Sequence, residues 1–440
     1  MKDMTEGRIV RPLLLFALPI LLGIVFQRLY NLFDTMLVGR FIDQSALAAV
    51  GACGSVFIMF LSISNGFTNG FSIVIGQHYG AKDEDGLKKS IAGTYLFSFI
   101  ISALLSVLGL VFINLILKLI NVPQEIYSQA KNYLSILTAG IIFTVCYNMF
   151  SAVLRALGDS IIPLVFLIIS VVLNIALDLF FIISLKWGVS GAALATVISQ
   201  AVSGFLCFIF SMTKRPATRV KLSDFKIPPK IVHELLSQGS AMALMFTVVD
   251  IGSVVLSAGI NSLGPNLIAG WTAGRKYLEL LMIPGGAFAS SAATFVSQNY
   301  GAKKIARIRR GIKYLILISW IWATFAFCIA WIFAYPLITS ITGTKALPSI
   351  IIYGIKYLKV GVPFYYSLFV LVIIRSSLQG INQKKLPLVA SGIELVVKIC
   401  ATAFLIPKFG FTAICYTEPV IWILGMLWVA PAFYLSLKKL

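Results

Sequence analysis

Apolar runs long enough to cross a bilayer recur along the whole chain, and no other feature of the sequence restricts the fold so severely. A membrane-spanning helix needs about 20 consecutive apolar residues. Runs of that order occupy residues 12–40, 46–77, 90–118, 126–154, 161–185 and 188–212. They resume at 231–260, 264–298, 311–341, 346–379, 386–407 and 410–436. The 440 residues are 59% hydrophobic and 12% charged, whereas soluble domains are below half apolar and about a quarter charged. The expected fold is an all-α integral membrane protein with twelve transmembrane helices.

A net charge of +20 raises the question of a nucleic-acid partner, and the placement of the basic residues answers it. If the N-terminus is cytoplasmic, the inner segments hold Lys2, Arg8, Arg11, Lys82, Lys88, Lys89 and Arg155. They also hold the basic residues of 213–230, 303–313, 384–385 and 438–439. The outer connections carry mainly Arg40, Lys118, Lys186, Lys345 and Lys408. That asymmetry is the positive-inside pattern, which puts both termini in the cytoplasm of a multi-pass protein of the plasma or inner membrane. The charge is topological, and no nucleic-acid partner is expected. The six cysteines stand singly within apolar spans, without metal-site or disulfide spacing. The first apolar run lacks a small-residue cleavage site and reads as a retained helix.

Residues 213–230, "TKRPATRVKLSDFKIPPK", form the only long polar interruption. They read as a cytoplasmic linker between an N-terminal six-helix lobe (1–212) and a C-terminal one (231–440). The two lobes repeat each other's landmarks. "IGQHYGAK" at 75–82 returns as "VSQNYGAK" at 296–303, and "KWGVSGA" at 186–192 as "KFGFTAI" at 408–414. More weakly, "RALGDSIIPLV" at 155–165 returns as "SLQGINQKKLPLV" at 377–389. Landmarks in one order at a near-constant offset mark a tandem duplication. Six spans per copy make the repeat parallel, one of the common plans of secondary transporters.

Acidic residues inside such spans are costly and by default functional. With a helical rise of 1.5 Å, Asp34 lies roughly 9 Å inward of Arg40 and Asp178 roughly 12 Å inward of Lys186. Thr196 lies at a similar depth on the sixth span, and Asn174 shares a helix face with Asp178. Two carboxylates, an amide and a hydroxyl at one depth can coordinate a small hard cation or share a proton. In the second half Glu418 follows Gly410 as Thr196 follows Gly188, and Glu394 and Lys398 are i,i+4 neighbours near the positions of Asn174 and Asp178. That pair reads as internal neutralisation. Asp250 and Glu279 are further cavity candidates; each either lines a cavity or sits near a helix end, with Arg275 one turn from Glu279.

Hydrolase, metalloprotease and phosphate-loop motifs are absent, so no enzyme activity is expected, and uphill transport would draw on an ion gradient. The repeated motifs, together with "ALPI" at 17–20, "DTMLVGRFIDQSALAAVGA" at 34–52, "LRALGDSIIP" at 154–163 and "WGVSGAALATVISQ" at 187–200, resemble the multidrug and toxic compound extrusion (MATE) family. The first-span Asp and the Asn-x-x-x-Asp of the fifth are most similar to its DinF-like branch. That resemblance implies two pseudo-symmetric six-helix bundles and export of amphipathic, often cationic compounds in exchange for Na⁺ or H⁺ by alternating access. It also implies a coupling site at Asp34, Asn174, Asp178 and Thr196, which would hold the ion directly if that ion is Na⁺. A cofactor other than the coupling ion is not implied; membrane lipid is the surrounding partner, and a monomer is expected. Span ten lacks the acid that another branch of the family places there. The alternative function is flipping of a lipid-linked saccharide or other lipid-like substrate, which would favour a cavity rich in Arg and Lys.

Overall fold

The computed structural model describes residues 3–343 and 346–440; Lys2 and Lys345, counted above among the basic residues, lie outside them. Among the described residues every regular element is helical. Among the described residues eleven helices are long and apolar enough to cross a membrane, and a pair bent by 42° gives a twelfth when taken as one span. The first six spans are α1 (Val10–Phe41), α2 (Gln44–Gly80), α3 (Glu84–Val111), the bent α4 (Gln124–Ala139 and Ile141–Ala156), α5 (Ile161–Ser184) and α6 (Gly188–Lys214). The second six are α7 (Pro229–Asn261), α8 (Pro265–Gly301), α9 (Ile305–Ile332), α10 (Pro348–Gly380), α11 (Lys385–Phe409) and α12 (Phe411–Lys439).

The landmark motifs are helix stops with matching geometry. At the end of α2, Ala81 N–H donates to Gln77 (2.9 Å), Lys82 to Tyr79 (3.1 Å) and Asp83 to His78 (3.1 Å). At the end of α8, Ala302 donates to Gln298 (3.0 Å), Lys303 to Tyr300 (3.0 Å) and Lys304 to Asn299 (2.8 Å). Lys82 and Lys303 take φ of 56° and 57°, the left-handed turn that closes a helix by returning bonds to its last carbonyls.

Two apolar runs divide in a way the composition does not reveal. Residues 90–118 and 311–341 were each expected as one span. In the structure α3 stops at Val111 and α9 at Ile332, and short helices Ile113–Leu119 and Ala334–Thr342 follow. Phe112 (φ −95°, ψ 11°) and Phe333 (φ −108°, ψ 16°) occupy the bridge region and interrupt each ladder. At 1.5 Å per residue, the 28 residues of α3 and of α9 already exceed a hydrocarbon core of about 30 Å. The remaining apolar residues therefore need not continue in line.

By packing, the chain falls into two compact units, Leu18–Ala243 and Met4–Ala17 with Leu244–Leu440. These lines differ from the repeat boundaries at 212 and 231, which rest on sequence likeness. In the first unit the start of α7 lies against α2 at glycines. A Cβ added to Gly66 would fall 2.3 Å from Ala243 Cα, and one at Gly70 2.6 Å from Gly239 Cα. Close backbone approach through small residues is the way helices associate without a hydrophobic driving force in lipid. In the second unit the N-terminal segment is tied down by its main chain. Gln298 Oε1 accepts from Met4 N (3.1 Å) and Asn299 Nδ2 donates to Met4 O (3.1 Å). Arg307 donates to the carbonyls of Met4 (3.0 Å), Glu6 (2.7 Å) and Gly7 (2.7 Å).

Candidate functional site

In the first unit α1, α5 and α6 bring five polar side chains into one cluster. Asn174 and Asp178 are one turn apart on α5 and are buried, at 1% and 0% exposure. With the Asn174 amide oriented to satisfy its neighbours, its nitrogen donates to Asp178 Oδ2 (2.8 Å) and its oxygen accepts from the backbone N–H of Thr196 (3.2 Å). The Thr196 hydroxyl in turn meets the Tyr30 hydroxyl of α1 at 2.9 Å, and Tyr30 is one turn before Asp34. Asp34 and Asp178 lie close enough for the charge of one to act on the other.

Two oxygens in this cluster are unsatisfied. Oδ1 of Asp34 and Oδ1 of Asp178 are both buried without a hydrogen-bond partner. Buried carboxylate oxygens are almost always bonded, and an uncompensated buried charge costs several kcal/mol. A proton on the pair or a small cation between its oxygens would relieve that penalty. Asp34, Tyr30 and Thr196 also line a cavity of about 670 Å³, with Asn148, Gln200 and Tyr133 contributing further polar atoms. The cavity is within the range of small-molecule pockets, so a ligand there would share Asp34 with the cation cluster. Immediately beyond Asp178 the helix loosens into a π-helical turn, Leu179–Ser184, a distortion frequent at functional sites.

Tyr30, Tyr133 and Gln200 were not among the sequence candidates. Tyr30 carried a usable signal, its i,i+4 spacing to Asp34. Tyr133 enters from α4 by tertiary packing alone.

The second unit treats its acids differently. Lys398 of α11 is 2% exposed, and its Nζ lies 2.8 Å from Glu394 Oε1, 3.5 Å from Glu418 Oε1 and 3.3 Å from Ser253 Oγ. Arg375 Nη1 lies 4.0 Å from Glu394 Oε2. Glu279 pairs with Arg275 at 2.7 Å, and the guanidinium of Arg275 sits 4.9 Å from the Trp271 ring. Asp250 stands apart, with Oδ2 buried and unpartnered. The structure thus gathers Glu394, Glu418 and Lys398, and leaves Asp250 and Glu279 in separate surroundings. A π-helical turn, Ala401–Leu405, follows here too. Where the α5 cluster of the first unit has a carboxylate with a free oxygen, the corresponding α11 cluster of the second has an ammonium shared by two carboxylates.

Two repeats of long helices, each with a polar cluster at the same helical break, are the build of a secondary transporter. The MatE family profile matches residues 19–180 and 241–404, and the chain belongs to that family. It is a multi-pass membrane transporter and not an enzyme. It is 28% identical over 368 residues to the probable multidrug resistance protein YpnP of Bacillus subtilis, covering 83% of this chain and 80% of that one. The FAD transporter of Shewanella oneidensis is 26% identical over 417 residues, 92% of this chain and 90% of that one. Among solved structures, a MATE protein in the bent conformation superposes with a TM-score of 0.90 at 22% identity, covering 99% and 98% of the two chains. A multidrug resistance MATE family transporter in an outward-facing conformation gives 0.90 at 23%, covering 100% and 98%. At these identities the structural likeness establishes the fold.

Proposed function

We propose that the protein is a multidrug antiporter that exports small amphipathic, often cationic compounds in exchange for Na⁺ or H⁺, with both termini in the cytoplasm. The relatives named for multidrug resistance support the substrate class. The pair of unpartnered carboxylate oxygens at Asp34 and Asp178, next to a cavity that shares Asp34, is the observation that carries the coupling. A carboxylate pair serves exchange because its charge attracts a cationic compound, and neutralisation by the coupling ion removes that attraction. Substrate and ion then compete for one negative charge, the least that antiport requires, and the effect of each on the other's affinity is reciprocal. Asn174 and Thr196 orient Asp178 in this scheme, and Tyr30 links α1 to α6. In the second repeat Lys398 serves as a resident cation for Glu394 and Glu418, so those two acids are not available for exchange.

Flipping of a lipid-linked saccharide would call for unpaired basic groups in the interior. Arg275, Arg375 and Lys398 all face carboxylates instead, which favours the antiporter reading. The test is efflux of a fluorescent organic cation from everted membrane vesicles under an imposed Na⁺ or proton gradient. Gradient-driven efflux by the wild type is expected to be absent in Asp34→Asn and in Asp178→Asn, both inserting at normal levels. Undiminished efflux in both variants would refute the proposal.

A further inference from the structure

A second cavity, in the other unit and unrelated to the carboxylate cluster, lies between the N-terminal segment and the start of α9. It measures about 850 Å³, and its lining includes Arg8, Arg11, Leu14, Leu15, Arg310 and Tyr314, together with Arg307. Arg307 is spent on the main-chain carbonyls that anchor the segment. The side chains of Arg8, Arg11 and Arg310 have no ion pair or hydrogen bond among the described residues. Three arginines without a counter-ion line one recess, and an anion bound there would offset their mutual repulsion. Guanidinium forks suit phosphate oxygens, which they bind bidentately.

The surroundings select among phosphates. Leu14 and Leu15 are exposed within the recess. From Tyr314 an exposed apolar row continues along α9 through Leu317, Ile321, Phe325 and Ile332 at helical spacing. The 18 residue steps from Tyr314 to Ile332 cover roughly 27 Å at 1.5 Å each, close to the thickness of the hydrocarbon core. A basic recess at one end of a membrane-length apolar stripe matches a molecule with an anionic head and acyl tails. Basic pockets at the ends of membrane helices hold anionic headgroups in this way.

We propose that this recess is a binding site for an anionic phospholipid, its phosphate held by Arg8, Arg11 and Arg310 and its acyl chains laid along the exposed face of α9. The site does not depend on the coupling mechanism, and its occupancy is measured without transport. Purified full-length protein in detergent is titrated with phosphatidylglycerol or phosphatidylcholine, and retained lipid is counted by native mass spectrometry. Preferential retention of phosphatidylglycerol is expected. The variant Arg8→Ala/Arg11→Ala/Arg310→Ala should weaken it by roughly fivefold per arginine removed, whereas Lys118→Ala/Lys276→Ala, at exposed lysines elsewhere, should not. If the triple variant fails to elute as a single species, Arg11→Ala and Arg310→Ala, both at exposed positions, are measured singly, each expected to lose about fivefold. Equal retention of the two lipids, or retention of phosphatidylglycerol unchanged by the arginine substitutions, would overturn the site. Glycerol 1-phosphate binding as tightly as phosphatidylglycerol would assign the recess to a soluble phosphoester and overturn the lipid assignment.

Discussion

Asp178 and Lys398 occupy closely corresponding places in the two repeats and pose opposite electrostatic problems. Asp178 has a buried oxygen without a donor, so replacing it by Asn removes a charge the fold does not need while keeping the side chain's volume. Its thermal stability in detergent should match or exceed that of the wild type, with gradient-driven efflux lost. Lys398 is the reverse case, because its ammonium is shared by Glu394 and Glu418. Lys398→Met strands two half-buried carboxylates and should cost up to about 3–5 kcal/mol, the penalty for breaking a fully buried ion pair. The double variant Lys398→Met/Glu418→Gln should recover part of the loss in the same melting measurement. No recovery would mean that the lysine acts through its apolar stem. At this scale the sequence was informative wherever one helix carries both partners, as with Asn174 and Asp178 or Glu394 and Lys398. Helical periodicity alone puts such pairs on one face. The joining of Tyr133 to the cavity, or of Ser253 to Lys398, depends on packing between distant segments and leaves no local mark.

Among the helices, α2 holds its neighbours by two devices of different strength. Its contact with α7 runs through Gly66 and Gly70, where an added Cβ would strike backbone. Gly70→Val should therefore cost more than the 1–3 kcal/mol of ordinary overpacking, since neither main chain can yield as a side chain would. The expected readout is a large fall in the yield of monodisperse protein. At the α2–α3 turn, Asp83 caps α3 by accepting from Gly86 N–H (3.0 Å) and faces His78 Nδ1 at 2.8 Å. The Gly86 amide, and after it His78, hold this carboxyl below the usual carboxylate range. A carboxyl with a lowered folded pKa lends stability above its unfolded value near 4, and that stability is lost as pH falls through the folded value. Hydrogen exchange in the first turn of α3 should accordingly quicken on acidification below about pH 4, and Asp83→Asn should abolish that dependence. Helix existence was legible from the apolar runs because spanning lipid demands length and composition together. The stops at Phe112 and Phe333 and the π-helical turns after Asp178 and Lys398 were not, because apolar composition continues unbroken through each of them.

For the molecule as a whole, duplication and charge asymmetry are the properties written most plainly in the sequence, since both are sums over many residues. Membership of the MatE family agrees with the resemblance carried by the repeated motifs. The partition into compact units was less accessible, because Met4–Ala17 and the start of α7 pack across the repeat boundaries. The central physical claim is that ion and substrate exchange at one pair of carboxylates whose unpartnered oxygens are buried. Its most direct measurement is the release of coupling ion from purified protein on addition of an organic cation, read as displaced radioactive Na⁺ or as protons appearing in weakly buffered solution. The wild type should release ion in proportion to the substrate bound, and Asp34→Asn/Asp178→Asn should release none. Substrate binding by the wild type with neither Na⁺ nor protons displaced would contradict exchange at these residues.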